Sequence, residues 1–170
     1  MANSLRYAVF DISRGWIAAV KSGDELLEIT LPQQTRESAL GKLKQNLTDA
    51  TIDEASFSTL ADKLKRFFNG EEVVFNEPVS LKRFSAFDKA ALEVAAAIPY
   101  GQTISYGELA ARAGSPLAAR AAGQTMKKNP LPIIIPCHRV IRGNGNIGGY
   151  NGNLDLKREL LRNEGVKITR

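Results

Sequence analysis

Three prolines within seven residues, Pro130, Pro132 and Pro136, rule helix out of one stretch of this 170-residue chain and frame its most apolar run. Leu131 to Ile135 must therefore be extended and, being wholly apolar, buried. Immediately after the third proline stand the only cysteine, Cys137, and the only histidine, His138. The fold has to bury this run and still deliver a thiol and an imidazole to one place. The thiolate is the reactive form of cysteine; a nearby histidine or cation favours it and burial opposes it. Neighbours in sequence do not face each other unless a turn or a bridging water brings them together. A lone cysteine is usually a small core residue, and a lone histidine a satisfied core one. Finding the two side by side behind a proline is what argues for chemistry.

One cysteine forms no internal disulfide, and with one histidine it is too small a set for a structural zinc site. No acidic cluster suggests a metal held by carboxylates, so no metal is expected. The sequence shows no basic segment leading into an apolar one, and no apolar stretch long enough to span a bilayer. A cytoplasmic location is the expectation.

Charge is divided unevenly. Residues 1–85 carry 11 Lys/Arg against 12 Asp/Glu, whereas residues 86–170 carry 12 against 6. The stretch 109–154 holds Arg112, Arg120, Lys127, Lys128, Arg139 and Arg142 and no acid. A basic half beside a neutral one fits a polyanion partner, although a solvated basic surface gives the same count.

The first half reads as a small α/β unit. Strands are predicted over 6–12, 15–21 and 26–31, with turn residues between them and spacing that suits an antiparallel meander. Helices are predicted over 35–47 and 57–68, and 71–83 is the candidate linker. In the second half, Ser85-x-x-Asp88 and Ser105-x-x-Glu108 are capping boxes for helices near 90–98 and 105–113. Ser115 with Pro116 should open a helix running to Lys128, and Asn153 should cap a last one ending near Glu164-Gly165. Gly143-x-Gly145-x-x-Gly148 matches a dinucleotide fingerprint by letter only, because 22 residues cannot complete the βαβ unit it needs.

A short helix, a turn containing Gly114 and a second helix form a helix-turn-helix layout. Arg120, Gln124, Lys127 and Lys128 share one face of the second helix. Its remaining positions are crowded with small residues, alanine above all, so DNA binding led by phosphates, with little base reading, is expected. A plain helical hairpin is the competing reading.

Pro136-Cys137-His138-Arg139-Val140 resembles the active-site motif of the O6-alkylguanine-DNA alkyltransferases. The segments 98–110, Ala119-Arg120-Ala121, Asn129-Pro130-x-Pro132-Ile133, Gly148-Gly149-Tyr150 and Leu160-Leu161-x-x-Glu164-Gly165 follow in that family's order. The resemblance implies a two-domain α/β fold: an N-terminal α/β domain with an antiparallel sheet over 1–80, and a mainly helical, winged helix-turn-helix-like domain over 84–170. It implies a DNA-associated monomer that takes double-stranded DNA carrying O6-alkylguanine, and O4-alkylthymine besides, as its substrate and uses no cofactor. The alkyl group would pass irreversibly, once per molecule, to Cys137 from a base flipped out of the helix.

By the same resemblance, His138 acts as base through a water, Glu164 orients it, Asn129 is a hinge, and Tyr106 holds the base and gives up a proton. Arg120 is the finger filling the vacated stack, with Tyr106, Ser115, Gln124, Lys127 and Arg142 also on DNA. Met126, Pro132, Val140, Tyr150 and Asn151 form the pocket wall. Asn151 and Gln124 depart from residues common in the family, serine and glycine. A non-catalytic lesion-binding or regulatory module and a thiol hydrolase are the rival readings.

Overall fold

The computed structural model describes residues 4–150 and 153–168. The chain divides into two compact units, Met1–Leu81 and Lys82–Arg170. In the first, β1 (Leu5–Ile12), β2 (Gly15–Ser22) and β3 (Glu25–Ile29) form the antiparallel meander that the turn spacing predicts. Gly15 has a positive φ of 123°, and a Cβ there would sit 2.3 Å from the Gln33 carbonyl oxygen. Only glycine lets the chain return this closely and form the Trp16–Gln33 backbone pair.

Ile17 to Val20 of the central strand are buried as a continuous run, because both faces of the sheet are covered. Val9 and Ala18 pack against Ala39 and Leu40 of α1 (Arg36–Lys42). On the other face, Lys21 donates to the Ser56 carbonyl and lies over the Phe57 ring, in the 3-10 turn that leads into α2 (Ser58–Phe68). That helix buries Leu60, Leu64, Phe67 and Phe68, each worth roughly 1.5–3 kcal/mol.

Three sequence expectations change in this unit. Helix α1 ends at Lys42 rather than Leu47, because the buried Glu28 carboxylate accepts from the amides of Lys44 and Gln45 and holds the chain extended. A fourth strand, β4 (Thr51–Ile52), joins β1 in parallel, so the sheet is not purely antiparallel. Most of 71–83 is no free linker: residues 78–80 bond along β3 through Leu26, and Val73 and Leu81 are buried.

The second unit begins with α3 (Ala86–Ala96), capped by Ser85. Next come β5 (Ile104–Ser105), α4 (Tyr106–Arg112), capped by Ser105, and α5 (Ala119–Lys127). Later, β6 (Val140–Ile141) pairs in parallel with β5, and α6 (Leu154–Asn163) is capped by Asn153. Helices α4 and α5 form the expected pair, with α3 packed on both. The buried Thr125 hydroxyl of α5 donates to Asp88 of α3 and fixes the second helix of the pair.

Two expectations fail here. Ser115 does not cap α5: its carbonyl accepts from Ala118 N, and Pro116-Leu117 form a turn, so the helix starts only at Ala119. The fixed φ of proline suits a turn as well as a first helical turn, and the turn wins. Residues 131–135 are buried as expected but are not extended. Ile135 N donates to the Leu131 carbonyl, and Ile133 adopts a positive φ of 75°. Three prolines forbid helix without demanding a strand. No helix of the described residues is long and apolar enough to cross a membrane.

Candidate active site

Cys137, His138 and Arg139 form one turn of 3-10 helix right after Pro136. The turn is how neighbouring side chains come to share a site. Cys137 is 4% exposed, yet it lines a cavity of about 480 Å³ together with Tyr106, Arg120, Gly123, Gln124, Met126, Lys127, Arg142, Gly149 and Tyr150. Cys137 is therefore buried yet borders the cavity that α5 walls.

Asn129 ties α5 to the cysteine turn. Its Nδ2 donates to the Ile135 carbonyl at 2.8 Å, and its Oδ1 accepts from Leu131 N at 2.9 Å. These bonds hold the strained turn at Ile133, a conformation that a β-branched residue adopts at a cost. Burial pushes the Cys137 thiol above its ordinary range, whereas a hydrogen bond from Asn129 and the positive field of Lys157 work the other way.

His138 is fully buried, and its Nε2 lies 2.7 Å from Glu164 Oε1. Burial is the main influence lowering His138, Glu164 opposes it, and Arg139 and Lys157 add to the lowering. Burial favours the neutral form of Glu164 too. Hydrogen bonds from His138 and Arg139 outweigh it and carry the carboxyl down to about 2. The ring of Tyr106 is half-buried beside the cavity, and burial raises its phenol, which rests protonated.

A 6-O-methylguanine DNA methyltransferase DNA-binding-domain model matches residues 86–166, and the ribonuclease-like-domain model of the same methyltransferase matches 5–81. The chain belongs to the 6-O-methylguanine DNA methyltransferase family. The methylated-DNA–protein-cysteine methyltransferase of Mycobacterium tuberculosis is 36% identical over 157 residues, 92% of this chain and 90% of that one. The corresponding protein of Methanothermobacter thermautotrophicus is 43% identical over 110 residues, 64% of this chain and 61% of that one. Among solved structures, Mycobacterium tuberculosis OGT in complex with DNA superimposes with a TM-score of 0.79 at 36% identity, covering 94% of this chain and 92% of that one.

In this member of the family, Cys137, Tyr106, Arg120, Gln124, Lys127, Arg142, Met126 and Tyr150 surround one cavity. His138 is paired with Glu164, and Asn129 braces the segment that leads into Cys137. Ser115 is in the α4–α5 turn, Pro132 is buried in the strained turn and Val140 is buried in β6; none of these three lines the cavity. Asn151 lies outside the described residues.

Two buried charges at the site have no role in the sequence reading. Arg139 forks onto Glu164. Lys157 is fully buried on α6, donates to the carbonyls of Val140 and Gly149, and lies 5.9 Å from the Tyr106 ring centre. Burial brings Lys157 down to about 8, against a smaller opposing effect of Cys137. Its signal was legible: Lys157 shares a helix face with Leu160 and Leu161, where a solvated lysine has no place.

Proposed function

We propose that this protein repairs DNA by moving the alkyl group from O6 of a guanine onto the sulfur of its own Cys137, each molecule acting once. The observation that supports this reading best is the position of Cys137, buried yet lining a cavity whose α5 wall presents Arg120, Gln124 and Lys127. No acid is among the described residues around that cavity, which favours a polyanion at its mouth. A thiol this recessed cannot reach a stacked base, so the damaged base must swing out of the duplex into the cavity.

The chemistry follows from the groups present. His138, held through Nε2 by Glu164, takes the thiol proton by way of a water. Asn129 and Lys157 favour the thiolate that remains. The sulfur attacks the alkyl carbon in line. A C–S bond forms, the C–O6 bond breaks, and its electron pair passes into the guanine ring. The ring receives a proton from Tyr106, which is restored from solvent while the proton removed from the thiol is released. A thioether has no leaving group that water could displace, so nothing regenerates the thiol. Arg120, exposed at the mouth, fills the gap in the stack.

Incubation with a duplex containing O6-methylguanine should add the mass of one methyl group per chain, and peptide mapping should place it on Cys137. Cys137→Ser should keep affinity for the duplex and gain no mass. An unchanged mass for the folded parent chain, or methylation elsewhere, would refute the reading.

A further inference from the structure

Glu164 sits where α6 ends and is shared between two donors of different kinds. His138 Nε2 approaches Oε1 at 2.7 Å. Arg139 Nε reaches Oε2 at 2.9 Å and Oε1 at 3.2 Å, and its Nη2 reaches Oε1 at 2.9 Å. Arg139 Nη1 is anchored on the Ile98 carbonyl at 2.7 Å, and the guanidinium lies over the Tyr100 ring. Gly101 N supplies a further bond to Oε2. The side chains of His138, Arg139 and Glu164 are 0%, 9% and 1% exposed, so this trio sees little water.

A buried carboxylate paired with an imidazole alone would favour the imidazolium. An imidazolium has no lone pair and accepts no proton. A guanidinium carries its charge at every working pH and matches both carboxylate oxygens. With His138 neutral, the trio is balanced; a proton on His138 would leave a net positive charge in the interior. The other groups facing the ring do not reverse this. Lys157 comes from α6 as a second cation, Cys137 from the same turn as a protonated thiol, and Tyr150 from the preceding loop with its ring edge-on at 6.4 Å.

We propose that Arg139 is a positioning residue of the transfer reaction, occupying both oxygens of Glu164 so that His138 rests as a neutral imidazole able to take the Cys137 proton. With Nε2–H donated to Glu164, the lone pair is on Nδ1. This inference rests on reading Cys137 as the alkyl acceptor and His138 as its base.

The chain contains one histidine, so the ring signals of His138 can be followed by NMR without ambiguity in full-length protein free of added histidines. In the unalkylated parent, the ring should remain neutral at pH 7. In Arg139→Gln its titration midpoint should rise by about one pH unit or more. The acid limb of the transfer rate against pH should rise with it. Arg139→Lys, which restores the charge, should return both towards the parent values.

An imidazolium in the parent at pH 7 overturns the proposal, even if Arg139→Gln fails to fold. A folded Arg139→Gln whose His138 titrates as in the parent also overturns it, whether transfer is kept or lost. If the parent never gains an alkyl group on Cys137, the function falls, and the titrations still decide what Arg139 does to His138.

Discussion

Replacing Asn129 by alanine removes two bonds from the segment that carries Cys137. The Ile135 carbonyl keeps the Cys137 amide as a partner, but Leu131 N loses the acceptor it has in the Asn129 side chain. Leu131 is fully buried, so its amide cannot turn to water without opening the turn. A lost side-chain bond costs about 1 kcal/mol, and a stranded buried amide about 1–3 kcal/mol more, giving roughly 2–4 kcal/mol. The backbone at Ile133 adds leverage, because the positive φ persists only while its surroundings impose it. For a unit of this size the loss corresponds to a fall in melting temperature on the order of 10–25 °C. Thermal unfolding of the parent and of Asn129→Ala, followed by far-UV circular dichroism, measures it. Hydrogen exchange at Leu131 and Ile135 locates it. Transfer should weaken as well, because Cys137 loses its brace and a hydrogen bond that favours the thiolate. A melting temperature within 2–3 °C of the parent, about the effect of half a kcal/mol, with transfer unaltered, would refute the account of Asn129.

Gly148 has a positive φ of 72°, and a Cβ there would lie 3.0 Å from both the ring edge and the hydroxyl of Tyr106. Gly148→Ala should therefore displace Tyr106 and slow transfer by about tenfold or more, equivalent to 1.4 kcal/mol. Gly143→Ala, where a Cβ meets nothing within 4 Å, should not; equal rates in single-turnover assays of the two variants would count against this role for Tyr106. Glu164 offers a test in acid. Its folded value of about 2 lies below that of an unfolded glutamate, so its contribution is complete above about pH 5 and disappears as pH falls towards 2. The difference amounts to about 3 kcal/mol. Urea midpoints from pH 5 to 2 should fall more steeply for the parent than for Glu164→Gln, and parallel slopes would exclude the ionised Glu164 as the cause.

Elements with local causes were legible in the sequence. Ser85, Ser105 and Asn153 cap helices because a side-chain oxygen reaching an amide three residues on is a short-range interaction. The meander was legible from its turn residues, and α2 from the spacing of Leu60, Leu64, Phe67 and Phe68. Helix α1 was overextended because its end depends on Glu28, distant in sequence. Ser115 misled because Pro116 serves two local structures equally well. The parallel strand β4 carried no signal, since two residues at a sheet edge have no period to read.

At the site, the sequence by itself determined one pairing: a single thiol beside a single imidazole, behind a proline, in the basic half of the chain. It also determined the basic face of α5, because helical spacing alone aligns Arg120, Gln124 and Lys127. Tertiary structure decided the rest. It made the apolar run a strained turn instead of a strand, set Cys137 against a cavity, and brought Glu164 under His138 and Arg139 from 26 and 25 residues away. It also buried Lys157 against two carbonyls near the thiol. The division has a physical origin. Caps, turns and periodicity are set by bonds among near neighbours, whereas the charge state of a buried group depends on every cation, dipole and apolar surface that folding packs around it.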